Sequence, residues 1–211
     1  MPSKSGIKTD LEFLQSLEEG EVMSQMTISK RIGVSIGFTN SLLKRAIHKG
    51  YVKAKSAPYK RYAYYLTPTG FSEKSRLVVE YLDTSLDFFK NARNQYVELF
   101  EQAQIRGQKR LVLLGAGELA EIAIMAAWDS KIELIAIIDT QSQRDKVGHI
   151  PVHRTLEEIS DYDAMVLTDS DTPQVTYEKI TLLEDHTKLL VPDFLRIHSS
   201  DVFEDINEEE T

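Results

Sequence analysis

Hydrophobic residues recur at helical spacing between Thr27 and Lys49, alternate up to Leu66, return to helical spacing until Ile105, and then gather into short continuous runs. Each change of period marks a change of element. Residues 27–32 predict a short helix. Gly33, Val34 and Ser35 predict a turn in which Gly33 takes positive φ and Ser35 caps the next helix. That second helix is expected over residues 36–49, stopping at Gly50. In it Thr39, Leu42, Leu43, Ala46 and Ile47 share one face and are expected to pack on the first helix. Residues 51–55 and 62–66 alternate as two strands around the basic connection that holds Lys60 and Arg61.

Helix, turn, helix and basic ribbon make a winged helix-turn-helix, whose second helix reads duplex DNA. The residues left on the outside of that helix are Ser35, Gly37, Phe38, Asn40, Ser41, Lys44 and Arg45. Asn40 and Ser41 can exchange hydrogen bonds with base edges, and Phe38 can meet a thymine methyl. Lys44 and Arg45 are placed for phosphates, and Lys60 and Arg61 for the adjacent backbone or minor groove. Charge agrees. Residues 1–70 carry 11 Lys and Arg against 5 Asp and Glu, whereas the remaining 141 carry 14 against 28, within a net charge of −8. The cationic end is suited to double-stranded DNA, and the anionic remainder keeps other surfaces off it.

Residues 72–105 contain no Gly or Pro and predict one long helix. Leu82, Phe89, Tyr96 and Ala103 recur every seven residues, with Val78, Leu86, Ala92, Leu99 and Phe100 on the same side. Such a stripe packs either on its counterpart in a second subunit or along the module that comes next. A homodimer suits a helix-turn-helix protein, because two recognition helices then reach successive half-sites.

The third section reads as a nucleotide-type β-α-β unit. A buried strand at residues 110–114 runs into Gly115, Ala116 and Gly117, then Glu118, Leu119 and a small residue, Ala120, on an apolar helix. The next strand closes at Asp139, 24 residues after Gly115. In the dinucleotide fingerprint the first glycine makes a tight turn, the second admits a phosphate to the backbone, and the helix start offers N–H groups to an anion. Asp139 is suited to a ribose diol, while Glu118 competes with a bound phosphate for the helix start. Residues 164–168 and 188–191 predict further strands, the first ending at Thr168 and Asp169, and Thr155 is placed to cap a short helix. Gly115, Gly117, Glu118, Leu119, Asp139, Thr168 and Asp169 are therefore the expected effector-binding residues. About 90 residues, 110–198, form a smaller body than a full dinucleotide domain. The expected effector is a nucleotide or nucleotide-sugar, with NAD(H) as the alternative.

The fold class is thus α/β multidomain: a winged helix-turn-helix at residues 1–70, a long linker or dimerisation helix at 71–107, a Rossmann-like parallel sheet at 108–200 and an acidic tail at 201–211. The absence of cysteine removes disulfides and thiolate metal sites. No apolar run reaches membrane-spanning length and no secretory signal opens the chain, so a cytoplasmic protein is expected. No catalytic constellation stands out, and the expectation is a regulator with no metal; the alternative is a nucleotide-sugar-modifying enzyme that carries a winged helix. The five histidines, His48, His149, His153, His186 and His198, form no ligand spacing.

Three stretches, at residues 27–35, 48–55 and 64–70, resemble MarR-type winged-helix regulators, in particular the small subgroup associated with exopolysaccharide genes. Residues 113–117, 135–139 and 148–152 resemble the N-terminal nucleotide-sugar-binding domain of PglD-like sugar acyltransferases. That resemblance implies a UDP-sugar held at Gly115, Gly117 and Asp139. The C-terminal hexapeptide-repeat helix of those acyltransferases, which carries their chemistry, has no counterpart in the sequence. The overall plan is also similar to Rex-type NADH-sensing repressors, which imply a redox effector. Surface-polysaccharide genes are the target the first resemblance implies.

Overall fold

Residues 4–17, 22–57 and 61–198 are described by the computed structural model. They fall into two units, Met1–Asp87 and Phe88–Thr211. In the first, α1 (Lys4–Ser16), α2 (Gln25–Arg31) and α3 (Ile36–His48) accompany a three-stranded antiparallel sheet of β1 (Val22–Met23), β3 (Arg61–Leu66) and β2 (Val52–Ala57), in the order β1-β3-β2. Ser24 caps α2 by accepting the Thr27 N–H at 3.2 Å, and Ser35 caps α3 by accepting the Phe38 N–H at 3.2 Å. Between them Gly33 has φ +67°, as the turn requires. The core joins Ile7, Leu11 and Leu14 of α1 to Ile28, Leu42, Leu43, Val52 and Tyr64. This is a winged helix-turn-helix.

Four expectations are corrected here. α2 starts at Gln25, two residues before the expected start, because Ser24 supplies the cap. Ile47, expected in the core, is 43% exposed, since it falls past the edge of the face that Thr39, Leu42, Leu43 and Ala46 bury. Helix α1 and strand β1 have no counterpart among the expected elements. Finally, Pro68, Thr69 and Gly70 do not break the chain but open α4 (Pro68–Ile105). Proline is tolerated in a helix's first turn. Thr67 caps this helix by accepting the Gly70 N–H at 3.0 Å, while its hydroxyl donates to the Gly50 carbonyl at 2.6 Å.

In the second unit, β4 (Arg110–Leu114), β5 (Glu133–Ile138), β7 (Ile150–His153), β8 (Ala164–Leu167) and β9 (Leu189–Leu190) are parallel, and β6 (Lys146–Val147) pairs antiparallel with β7. The sheet order is β6-β7-β5-β4-β8-β9. The five parallel strands, numbered along the chain, therefore stand 3-2-1-4-5, which is Rossmann-like. Side chains alternate along β4. Leu111 and Leu113 meet α5 (Glu118–Ala127) through Ala120, Ala123 and Ala126. Val112 and Leu114 face the other way, toward Ile180 of α6 (Pro173–Leu183).

The heptad stripe divides. Ala92, Tyr96, Phe100 and Ala103 are wholly buried on the α5 face of the sheet, so this part lies along the third module. Of its first half, Val78 packs partly buried on the core of the first unit, whereas Leu82 and Leu86 are 52% and 53% exposed, as is Val79 beside them. The Tyr96 hydroxyl donates to the Leu167 carbonyl at 3.1 Å, and burial pushes its pKa up. Among the described residues no helix is long and apolar enough to cross a membrane.

Candidate functional site

At 100° per residue, the side of α3 opposite its buried face carries Gly37, Ser41, Lys44 and His48. Ser35, Gly37, Phe38, Ser41, Lys44 and Arg45 are all exposed, and Asn40 is partly so. The structure therefore brings the expected DNA-facing residues of α3 onto one accessible surface. Its two flanks are engaged. Asn40 accepts from the Gln25 side-chain amide at 3.4 Å, and the nearby Tyr64 phenol has its pKa raised by burial. On the other flank Arg45 pairs with Asp10 of α1. Sequence alone makes Arg45 a phosphate ligand; the structure gives its guanidinium a carboxylate partner first. On β2, Lys53 and Lys55 are exposed. Arg61 opens β3, and Lys60 lies outside the described residues, as does the acidic tail.

The second unit holds a cleft of about 810 Å3 beyond the carboxyl ends of the parallel strands, where Gly115, Gly117, Asp139 and Asp169 come together. The chain reverses between β5 and β8 on either side of β4, the place where such sheets bind ligands. Gly115 has φ +110°, and a Cβ there would stand 2.7 Å from the Asp169 backbone. Gly117 differs: its Cβ would make only an ordinary contact, 3.6 Å from the Ser170 hydroxyl. Among the described residues nothing therefore requires glycine at 117.

Three of the expected residues do not reach the cleft. Thr168 is fully buried and its hydroxyl donates to the Gly115 carbonyl at 2.8 Å. Leu119 is a core residue, 4% exposed, whose apolar side chain is packed in the core and does not line the cleft. Glu118 is exposed at the start of α5 and does not line the cleft.

Asp139 is present but already occupied. One oxygen accepts the Ala116 N–H at 2.9 Å, and the other accepts the N–H groups of Gln141 and Ser142, each at 2.8 Å. This carboxylate ties the glycine turn to the β5 end rather than standing open to a ribose diol. Asp169 is held likewise by the N–H groups of Asp171 and Thr172 and the hydroxyls of Thr172 and Thr176. Burial raises its pKa, but the hydrogen bonds, led by Thr176, outweigh burial and hold it below the usual aspartate range. A depressed pKa contributes stability that is present above the unfolded-state value and lost as pH falls through the folded one. Asp169→Asn should cost about 1 kcal/mol at neutral pH and flatten the stability–pH curve below about pH 4. Urea unfolding between neutral and acid pH checks this; parallel curves for variant and parent would refute it.

Residues that no sequence motif marks also line the cleft: Arg144, Arg154 and Lys179. They come from the β5–β6 loop, the segment after β7, and α6. Only the strand order brings them together. An apolar wall of Leu156, Val175 and Leu183 completes the cavity. No group of three or more potential metal ligands occurs among the described residues.

No protein-family model matches the chain, and no curated protein matches it. Among solved structures, MepR, a transcription regulator of the Staphylococcus aureus multidrug efflux pump MepA, is similar at 15% identity and TM-score 0.34, over 38% of this chain and 61% of that one. Human N-acetylserotonin methyltransferase in complex with SAM is similar at 14% identity and TM-score 0.32, over 89% of this chain and 74% of that one. TrmBL2, an archaeal chromatin protein, is similar at 12% identity and TM-score 0.24, over 86% and 69%. At these identities and scores the similarities bear on neither fold nor role.

Proposed function

We propose that the protein is a cytoplasmic, homodimeric, sequence-specific DNA-binding regulator whose α/β unit holds a nucleotide or nucleotide-sugar effector, with surface-polysaccharide genes as its target. It acts by binding rather than turnover. The observation that carries the first part is the open face of α3, where Gly37, Ser41, Lys44 and His48 lie side by side between flanks that Asp10 and Gln25 hold in place. Small and hydrogen-bonding residues lie toward the N-terminal turns, where base edges are read, and the cation comes after them, as a recognition helix requires. Lys53 and Lys55 add charge on the wing.

The exposed Val79, Leu82 and Leu86 support a second copy of the chain on the first half of α4, and sedimentation that returned only monomer would remove this part of the proposal. The cleft supports an effector site, with glycine turn, cations and apolar wall on one cavity. The engaged Asp139 weighs against a grip on the ribose of NAD(H) and favours recognition through phosphate. For the effector to regulate, it must bind one arrangement of the dimer better than another.

Fluorescence anisotropy with a duplex library tests the DNA reading. Lys44→Ala should weaken binding to most sequences and reduce the salt slope by about 0.9. Asn40→Ala should relax preference at one base position, with a discrimination loss of about 1–3 kcal/mol there. Unaltered affinity and slope for Lys44→Ala would show that DNA does not use this face.

A further inference from the structure

Arg144 lies against the glycine turn. One guanidinium nitrogen donates to the Glu121 carboxylate at 2.9 Å and to the Ala116 carbonyl at 3.4 Å. Ala116 stands between Gly115 and Gly117, and Arg144 lines the cleft together with all three. The pair with Glu121 is half in water, the two side chains being 51% and 52% exposed. An ion pair in that setting is weak and is exchanged readily for a better anion.

The rest of the cleft shows which anion is better. The carboxylates of Asp139 and Asp169 are saturated by donors from the chain itself. Arg154 leans on a neutral group, the Asp139 carbonyl, at 3.2 Å, so its charge is not cancelled. Lys179 makes no hydrogen bond or ion pair with the described residues and lines the same cavity. Glu157 and Asp171 also line it. They repel a bare anion, but accept from hydroxyl or amine groups on a ligand that carries both. A guanidinium presents a planar fork that fits two phosphate oxygens, which a single Glu121 oxygen does not fill.

We propose that Arg144 is the anion-selecting residue of the cleft, held by Glu121 until the diphosphate of a nucleotide ligand takes that carboxylate's place. This rests on reading the cleft as the effector site. It predicts opposite effects for the two partners. Arg144→Gln removes the phosphate ligand, whereas Glu121→Gln removes its competitor. A purely structural ion pair would be broken equally by either change.

Isothermal titration of the full-length chain with UDP, with inorganic pyrophosphate, and with uridine as the uncharged control tests this. Arg144→Gln should weaken UDP and pyrophosphate binding about tenfold or more. Glu121→Gln should tighten both about two- to fivefold. Uridine binding should be the same in all three proteins. If the parent binds UDP but both variants weaken alike, or Arg144→Gln changes nothing, the role of Arg144 is overturned and the cleft stands as a nucleotide site. If the parent binds neither UDP nor pyrophosphate, both the cleft reading and the inference built on it fall.

Discussion

Gly115→Ala should lower the stability of the α/β unit by roughly 3–5 kcal/mol, the sum of a strained backbone and a steric clash. At φ +110° an alanine is disfavoured before any neighbour is considered. The new Cβ would also stand 2.7 Å from both Cα and N of Asp169, and these are backbone atoms that cannot swing aside. Asp169 is itself pinned by Thr172 and Thr176, and Gly115 by the Thr168 hydroxyl and by its own N–H donated to the Ile138 carbonyl at 2.8 Å. Relief therefore means moving the ends of β4, β5 or β8, the three strands that frame the cleft. Urea unfolding followed by circular dichroism should show a clear drop in midpoint, and titration with UDP a parallel loss of binding. A midpoint equal to the parent's would mean that the turn adopts another geometry.

Gly70→Ala is expected to cost the winged-helix unit roughly 2–4 kcal/mol for a different reason. The backbone angles at 70 are ordinary, but a Cβ would lie 2.0 Å from the Tyr51 carbonyl oxygen. That carbonyl also accepts the Thr67 N–H at 3.0 Å, and the Tyr51 N–H donates to the Ala46 carbonyl at 2.9 Å. The start of α4, the last turn of α3, Tyr51 just before β2 and Thr67 just after β3 thus meet at one crowded point. A methyl group there must push α4 off the wing, which should lower both the denaturation midpoint and DNA affinity. Retention of both by the variant would show that the contact relaxes at little cost.

Elements are legible in the sequence where their signals are local. Ser35 and Gly50 bracket α3, and the observed helix begins one residue after the serine and ends two before the glycine. A continuous apolar strand followed by Gly115, Ala116 and Gly117 leaves little alternative to a strand–turn–helix, and the parallel order of β4, β5 and β8 matches the expected unit. Residues 68–70 read as a break because proline and glycine usually punctuate a chain; here Pro68 takes the one helical turn that accepts it, and Gly70 meets a steric demand made by Tyr51, 19 residues earlier. Helix α1 has a legible stripe at Ile7, Leu11 and Leu14, yet no cap or motif in the sequence ties it to the recognition helix; its packing on Leu42 and Leu43 and the Asp10–Arg45 contact do so.

The candidate cleft is legible as a place but not as a set of partners. Gly115 and Asp139 end adjacent strands and share one crevice, whereas the hydrogen bonds that engage Asp139 depend on the exact path of the loop after β5. Thr168 reads as a ligand contact because it ends a strand, but the close approach of β8 to β4 buries it. Isolated loop arginines such as Arg144 and Arg154 carry no periodicity, and the sheet order alone gives them meaning.

The rims of the six-stranded sheet carry a consequence for handling the protein at high concentration. The outermost strands, β6 and β9, are only two residues long. Each leaves too few free peptide groups to template the growth of a foreign chain, which is how natural sheets guard against fibrillation. Crowding should therefore leave this sheet unpolymerised as long as it stays folded.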